Sequence, residues 1–182
     1  MKNKVLFAAA FAIGCLFISS SLFSQTEDKA TEIKWYTWSE AIEANKETPK
    51  KMFIDMYTDW CGWCKKMDAS TFKDPRVVEY MNENFYAIKF DAERKDEIIY
   101  DNHSFNFVKN GRRGYHQLAA ALLDGKMGYP SFVYMDEEER RITVSPGYKD
   151  AKTLLIELEF IGKNHYQRTD YKTFAKKKSG AR

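Results

Sequence analysis

A short apolar run that leads into a pair of cysteines constrains the fold of this 182-residue chain more than any other feature. The run Lys51–Tyr57 is mostly apolar, which predicts a buried central strand. Cys61 and Cys64 follow it, in a segment whose apolar residues then recur with helical spacing. The first cysteine is therefore predicted to lie where a strand ends and a helix begins. Asp55 is a charge near the end of the apolar run and requires an explanation.

The elements around this segment alternate between strands and helices. Further strands are predicted at 33–36, 85–90, 131–135 and 141–144. Helices are predicted after Ser39, after Asp74 with Pro75 at the first helical position, at 115–123 and at 150–165. Helices between the early strands require parallel pairing, whereas the last two strands form an antiparallel hairpin. The predicted fold class is therefore α/β, a central mixed β-sheet flanked by helices.

The first 24 residues have the composition of a secretory signal peptide. Lys2 and Lys4 precede a nearly continuous apolar run over Val5–Ile18, and small serines follow it. We expect cleavage after Ser24, which predicts an exported protein, periplasmic or otherwise extracytoplasmic, with a single domain over residues 25–182. Cys15 lies in a segment similar to a lipoprotein box, but the apolar run continues past it. We therefore favour a discarded peptide over a lipid anchor.

The charge of the exported chain would be close to neutral. Removing residues 1–24 takes away two of the 29 basic residues and none of the 26 acidic ones, which leaves a net charge of +1. Nothing in this balance favours a nucleic-acid partner. The aromatic content of 15% suits a compact globular domain.

Three kinds of site fit two cysteines separated by two residues. Tetrahedral zinc takes about four ligands, and the chain adds only the scattered His103, His116 and His165, to which we assign no metal-ligand role. A structural disulfide suits an exported protein, but so small a loop constrains little of the unfolded chain. A redox pair explains the spacing best, because one sulfur attacks a partner disulfide and the other resolves the mixed disulfide.

The position of the pair assigns different roles to its two members. At the start of a helix, the dipole and the unpaired backbone N–H groups stabilise a thiolate. We therefore expect Cys61 to be the exposed attacker with the lower pKa, and Cys64, one turn further on, to be the shielded resolver. No metal and no dissociable cofactor is expected, because the dithiol is itself the redox group.

The sequence resembles the thioredoxin superfamily in two segments, 55–65 (DMYTDWCGWCK) and 128–131 (GYPS). Members have an aromatic residue before the first cysteine, here Trp60, often a buried acid six residues before it, here Asp55, and a cis-proline that faces the disulfide, here Pro130. The resemblance spans residues 33–161. Within the superfamily the chain is most similar to exported proteins with a Trp-Cys-x-x-Cys-Lys pattern, such as the thioredoxin-like domain of DsbD-type thiol:disulfide interchange proteins. This resemblance implies a thioredoxin-like fold.

The resemblance also implies roles for individual residues. Asp55, if it is buried near Cys64, would have a raised pKa and would take the proton of the resolving thiol. A cis Pro130 would leave the backbone of Tyr129 free to pair with a substrate strand beside the sulfurs. The alternatives are a solvated, inert acid and an ordinary trans proline.

The residues around the cysteines are expected to contact the substrate. Trp60 would shape the docking surface, and Gly62 and Trp63, between the cysteines, would tune the redox potential and contact the partner. Thioredoxin itself has proline where this chain has Trp63, which leaves the direction of electron flow open. Two features are consistent with a reductant, the absence of a histidine between the cysteines and the Lys65-Lys66 pair after them, and neither decides the direction.

The segment 92–128 is about 20 residues longer than its counterpart in plain thioredoxin, an insertion before the cis-proline strand. Residues 93–102 are charged and suggest a helix, whereas Asn110-Gly111 signals a turn. The insertion would form either a partner-binding surface near the active site or an extra hairpin and longer helix over the sheet edge. The basic stretch 173–182 is expected to be a frayed tail.

The predicted function is an extracytoplasmic thiol:disulfide oxidoreductase that reduces protein disulfides. Its partners would be protein thiols and disulfides, with a membrane-embedded thiol-electron transporter as electron donor. An oxidase or isomerase on the same fold is the first alternative and differs only in potential. A copper-binding chaperone is the second, and a metal titration of the reduced protein would reveal it. The third is a binding module whose disulfide is only a staple, which would tolerate Cys61→Ser.

Overall fold

The computed structural model describes residues 30–180, so the predicted signal peptide, its cleavage point and Cys15 lie outside the described residues. Within 30–180, no helix is long and apolar enough to cross a membrane. The strands are β1 Trp35–Tyr36, β2 Lys51–Tyr57, β3 Phe85–Asp91, β4 Ile98–Tyr100, β5 His103–Phe105, β6 Phe107–Asn110, β7 Arg113–His116, β8 Ser131–Met135 and β9 Arg141–Pro146. The helices are α1 Trp38–Glu47, α2 Gly62–Ala69, α3 Pro75–Asn84, α4 Gln117–Leu122, α5 Ala151–Gly162 and α6 Tyr171–Ser179, with 3-10 turns at Thr71–Lys73 and His165–Gln167.

Five strands form one mixed sheet in the order β1-β3-β2-β8-β9. β3 pairs in parallel with both β1 and β2. β8 pairs antiparallel with β2 and with β9. The predicted α/β class with a mixed sheet is confirmed, and β2, the strand that leads to the cysteines, is its central strand.

Alternating side chains along the strands build a core on each face of the sheet. On one face, Phe53 of β2 packs in the same cluster as Met67 of α2. On the other, Ile54 of β2 packs with Trp38 of α1. Asp55 is two residues from Phe53, so its side chain points to the face that α2 covers.

Thr37, and not the predicted Ser39, caps the first helix. The Thr37 Oγ1 accepts the Glu40 N–H, and the Glu40 carboxylate accepts the Thr37 N–H at 2.8 Å, a reciprocal capping box. Ser39 could not form this box, because the residue three positions after it is Ile42. Two other predicted starts are confirmed: Asp74 caps α3 with Pro75 in its first turn, and Asp150 caps α5.

The insertion contains two hairpins, and the predicted helix over 93–102 is wrong. β4 and β5 are joined by Asp101 and Asn102, which both have positive φ (49° and 56°), as a tight two-residue hairpin turn requires. The predicted turn at Asn110-Gly111 is confirmed, because it joins β6 to β7. The helix that follows begins at Gln117, two residues later than predicted, because the end of β7 pairs with β6.

The basic C-terminal stretch is a helix, so the prediction of a frayed tail is wrong. Asp170 caps α6 by accepting the Thr173 N–H. The buried Phe174 ring lies 5.3 Å from the Phe160 ring of α5. The Tyr171 ring also lies 5.4 Å from the Phe160 ring, so two aromatic side chains dock this helix while its polar face stays in solvent.

Candidate active site

The two cysteines form a disulfide at the beginning of α2. Cys61 is the residue immediately before the helix, and its Sγ accepts the Cys64 N–H at 3.1 Å. The Cys61 N–H donates to the Thr58 carbonyl, which fixes the link from β2 to the helix. The Sγ of Cys61 thus lies where a negative charge on sulfur is stabilised by a backbone N–H and by the helix dipole.

Both cysteines are buried in the disulfide form, so the prediction that Cys61 is exposed is wrong for this state. Cys61 is 5% exposed and Cys64 is 3% exposed. The reason is that the Cys61 side chain folds back over the first turn of α2, where its sulfur meets the Cys64 N–H. The two sulfurs differ in their position on the helix more than in their exposure.

Exposed aromatic side chains lie beside the two cysteines in the chain. Trp60 is 49% exposed and Trp63 is 56% exposed, and Tyr148 is also exposed. The Trp60 ring makes an edge contact with the Tyr129 ring, with centroids 5.9 Å apart, and Trp63 lies 5.2 Å from Tyr148. Large exposed apolar side chains clustered in one place indicate a surface that binds another molecule.

A cation covers each of the two tryptophan rings. The Arg113 guanidinium of β7 lies 4.0 Å from the Trp60 ring centroid, and the Lys66 ammonium lies 4.9 Å from that of Trp63. The Trp60 Nε1–H donates to the Glu93 carboxylate at 3.1 Å. The insertion therefore reaches the active-site tryptophan through both Arg113 and Glu93.

Asp55 is a buried acid on the sheet face beneath α2, as the resemblance implied. It is 1% exposed, and burial raises its pKa from 3.8 to about 6. Cys64 and Met67 are the buried residues of α2, and Met67 packs on the same sheet face. Cys64 is therefore directed toward the face that carries Asp55. Within residues 30–180 the Asp55 Oδ1 has no hydrogen-bond partner.

Lys89 of β3 links this acid to the redox helix. Its ammonium donates to the Asp55 Oδ2 at 2.6 Å and also to Asp68 of α2. Burial lowers the pKa of Lys89, but the two carboxylates outweigh burial and hold that pKa above its usual value. Lys89 stays charged and keeps the pKa of Asp55 from rising further.

The Tyr129–Pro130 peptide bond is cis, as the resemblance implied. Pro130 immediately precedes β8, and its carbonyl accepts the Gly147 N–H at 2.8 Å. In the described part of the chain, no hydrogen bond joins the Tyr129 backbone to another residue. Gly62 is exposed at the first position of α2, with no atom within 4 Å of where a Cβ would stand.

Sequence reasoning missed four residues that the structure places around this site. Lys89 had a signal, since it is a charge inside the predicted strand 85–90, but its pairing with Asp55 needs the parallel register of β2 and β3. Tyr148, Arg113 and Glu93 had no local signal, because only the tertiary fold brings them to the tryptophans. His116 is a satisfied buried group: its Nδ1 accepts the Leu118 N–H and its Nε2 lies 3.1 Å from the Asp96 carbonyl oxygen.

The fold and the position of the disulfide define a thioredoxin-fold protein with a Cys-x-x-Cys pair. A solved structure described as "DsbH Oxidoreductase" covers 80% of this chain and 95% of its own length, with a TM-score of 0.54 and 18% identity, which confirms the fold. Residues 15–160 match the family Thioredox_DsbH, described as "Protein of unknown function, DUF255". The chain belongs to this family.

Curated relatives match this chain over short stretches. An uncharacterized protein of Caenorhabditis elegans is 30% identical over 84 residues, which are 46% of this chain and 12% of the relative. The thiol:disulfide interchange protein DsbD of Ralstonia nicotianae is 45% identical over 38 residues, 21% of this chain and 6% of the relative. This chain thus spans about an eighth of the first relative's length and less of the second's.

Proposed function

We propose that this protein is an extracytoplasmic thiol:disulfide oxidoreductase that reduces protein disulfides through Cys61 and Cys64. The Cys61 thiolate attacks one sulfur of a partner disulfide, forms a mixed disulfide and releases the other partner sulfur as a thiolate. The Cys64 thiolate then attacks the Cys61 Sγ and releases the second partner sulfur. Two electrons and two protons pass to the partner, and the Cys61–Cys64 disulfide is restored.

The observation that carries this proposal is the position of the disulfide at the start of α2, with the exposed Trp60 and Trp63 side chains next to its two cysteines in the chain. A disulfide that only stapled the helix would need no such surface around it. The backbone N–H that meets the Cys61 Sγ stabilises the thiolate that must form and leave in each exchange. The family and the relative named thiol:disulfide interchange protein agree with this chemistry.

Asp55 is the proposed acceptor of the Cys64 proton. Its pKa of about 6 leaves it ionised at neutral pH but with a useful affinity for a proton. Its Oδ1 is the free acceptor within the described chain, since the Oδ2 is held by Lys89. Asp55 thereby makes Cys64 a nucleophile at the moment when the mixed disulfide must be resolved.

The partner protein is proposed to dock across Trp60, Trp63 and the segment before Pro130. The two exposed rings supply apolar contact area, and Gly62 between them lets the partner backbone approach. The Tyr129 backbone, which has no hydrogen-bond partner within residues 30–180, would pair with the partner strand. Backbone pairing would hold the partner's sulfur beside Cys61.

The location and the electron source are part of the same proposal. The composition of residues 1–24 supports export, and an exported dithiol must be reduced again after each turnover. A membrane-embedded thiol-electron transporter is the proposed donor. The absence of a positive charge on Gly62 and Trp63, which would stabilise the reduced form and favour an oxidant, supports the proposed reducing direction.

Trapping of the mixed disulfide tests this function. Cys64→Ser, incubated with oxidised insulin, should accumulate a covalent complex through Cys61 that dithiothreitol releases, because no resolving thiol remains. Cys61→Ser is the matched control and should trap at least tenfold less, since Cys64 lies inside the helix and lacks the position before its first turn, where the Cys61 sulfur accepts a backbone N–H. Equal trapping by both variants, or none by either, would contradict the assigned roles.

A further inference from the structure

We propose that the β6–β7 hairpin forms a cationic docking surface for an acidic stretch that flanks the reactive cysteine of the partner protein. This inference rests on the proposed function for the class of partner, a protein with an exchangeable disulfide. The surface is an open groove of about 380 Å³ beside Trp60. Four of its lining residues are cations: Lys95, Lys109, Arg112 and Arg113.

Phe107 and Gly114 line the groove between the cations. The Phe107 ring packs so closely on Gly114 across the hairpin that a Cβ at Gly114 would lie 2.2 Å from the ring and 2.5 Å from the Val108 carbonyl oxygen. The Lys95 ammonium lies 6.0 Å from the same ring. The strands β6 and β7 pair along their whole length, so Lys109 and Arg113 lie on a regular element and Arg112 lies in the turn that joins its strands.

The four cations are exposed and lack carboxylate partners. Within residues 30–180, none of them forms an ion pair. Glu93 is the single acid among the described lining residues, and it already accepts the hydrogen bond of the Trp60 indole. Like charges held together without partners repel one another and attract an anionic ligand.

The groove is continuous with the redox site. Arg113 belongs to the groove and lies 4.0 Å over Trp60, which precedes Cys61 in the chain and contacts the Tyr129 ring. A further cation, Lys66, covers the other exposed tryptophan, Trp63. A partner that lays its cysteine against Cys61 would therefore bring its neighbouring residues over cations, with the exposed Asp59 as an opposing charge beside Trp60.

A protein segment fits this surface better than a small anion. The exposed tryptophans next to the groove bind apolar area, which a free anion lacks. Acidic side chains beside a cysteine would meet the groove and the rings together. Charge complementarity of this kind acts mainly on the rate of association and on the choice of partner.

Two disulfide peptides of equal length, one with glutamates and one with lysines beside the disulfide, test the proposal. The rate of oxidation of the reduced protein by each peptide is followed by tryptophan fluorescence and divided by its rate with oxidised dithiothreitol. At about 0.01 M salt we expect the acidic peptide to react at least tenfold faster. The preference should shrink at about 0.15 M salt, because the charges are then screened.

A charge-reversed variant locates the effect. Lys109→Glu combined with Arg112→Glu should abolish or invert the preference. The matched control, Lys172→Glu combined with Lys176→Glu on the exposed face of α6, should keep it. Equal rates for both peptides in the unaltered protein, or the same loss in the control, would overturn the proposal.

A binding experiment separates this inference from the proposed function. The acidic and basic peptides with serines in place of cysteines cannot exchange disulfides, so their affinity reports the surface alone. Tighter binding of the acidic analogue supports the surface even if neither disulfide peptide reacts, a result that would reject only the oxidoreductase. Equal binding together with normal, unselective disulfide reduction would reject only the surface.

Discussion

Asp55 is costly to the folded protein in its ionised form, because burial removes its carboxylate from water while Lys89 compensates only one of its two oxygens. The pKa of Asp55 is raised from 3.8 to about 6. The folded state therefore binds the proton more tightly than the unfolded state. This contribution to stability is full below about pH 4 and is lost as the pH rises through about 6. This cost accompanies the proposed role of Asp55 as the acceptor of the Cys64 proton.

Replacing Asp55 should remove this part of the pH dependence. A shift of two pKa units corresponds to about 3 kcal/mol. Between pH 4 and pH 7, ionisation of Asp55 should therefore lower the free energy of unfolding of the oxidised protein by up to this amount. Asp55→Asn should flatten the profile and gain stability at pH 7, since the amide is neutral and still accepts from Lys89. Urea unfolding at several pH values measures both quantities.

Asp68→Asn is the matched control for that profile. It also removes a carboxylate from Lys89 but leaves the buried Asp55 in place, so the loss of stability between pH 4 and pH 7 should persist. If Asp55→Asn and the unaltered protein show parallel profiles, the raised pKa of Asp55 is wrong.

At the residue scale, the sequence indicated the burial of Asp55 because it lies in an apolar run. It did not reveal the Lys89 partner, because a cross-strand pair depends on the strand register.

The β6–β7 hairpin is the element of the insertion that adds cationic side chains next to the cysteine-bearing start of α2. It carries Arg113 to Trp60, and its two strands approach closely only because residue 114 lacks a side chain. The turn at Asn110-Gly111 was predictable, because this dipeptide is a common turn sequence. In the structure Gly111 adopts the positive φ of 60° that such a turn favours. The β4–β5 hairpin was not anticipated, because the charges of 93–102 suit a helix as well as a strand. Its Asp101-Asn102 turn was the overlooked signal.

Gly114→Ala should loosen this hairpin. The new methyl group would overlap both a backbone oxygen and the Phe107 ring, a conflict that typically costs about 1–3 kcal/mol. Amide hydrogen exchange over residues 107–116 should accelerate, and the Trp60 fluorescence should change as Arg113 moves away.

Gly128→Ala serves as the comparison for the hairpin. No atom lies within 4 Å of a Cβ at Gly128, so its exchange pattern over 107–116 should match the unaltered protein. Unchanged exchange in Gly114→Ala would mean that the hairpin is not held by this close packing.

At the scale of the whole molecule, one central strand determines where the chemistry lies. β2 leads directly into the disulfide, carries Asp55 toward α2 and pairs with the strand that Pro130 precedes. This arrangement was largely predictable, because the apolar run, the cysteine spacing and the order of elements agree. The contacts of Arg113, Glu93 and Tyr148 with the two tryptophans were not predictable, since these residues come from segments far apart in the chain. The helix α6 was missed because two docked aromatic residues, Tyr171 and Phe174, are a weak signal in a basic segment.

The equilibrium redox titration of the purified protein against dithiothreitol and glutathione buffers tests the redox role of Cys61 and Cys64 most directly. A reductase requires a reversible two-electron transition near the potential of thioredoxin, roughly −270 mV. A transition near roughly −120 mV would instead mark a disulfide donor and contradict the proposed direction. A pair that could not be titrated reversibly at all would be a structural staple, and the proposed oxidoreductase would be wrong.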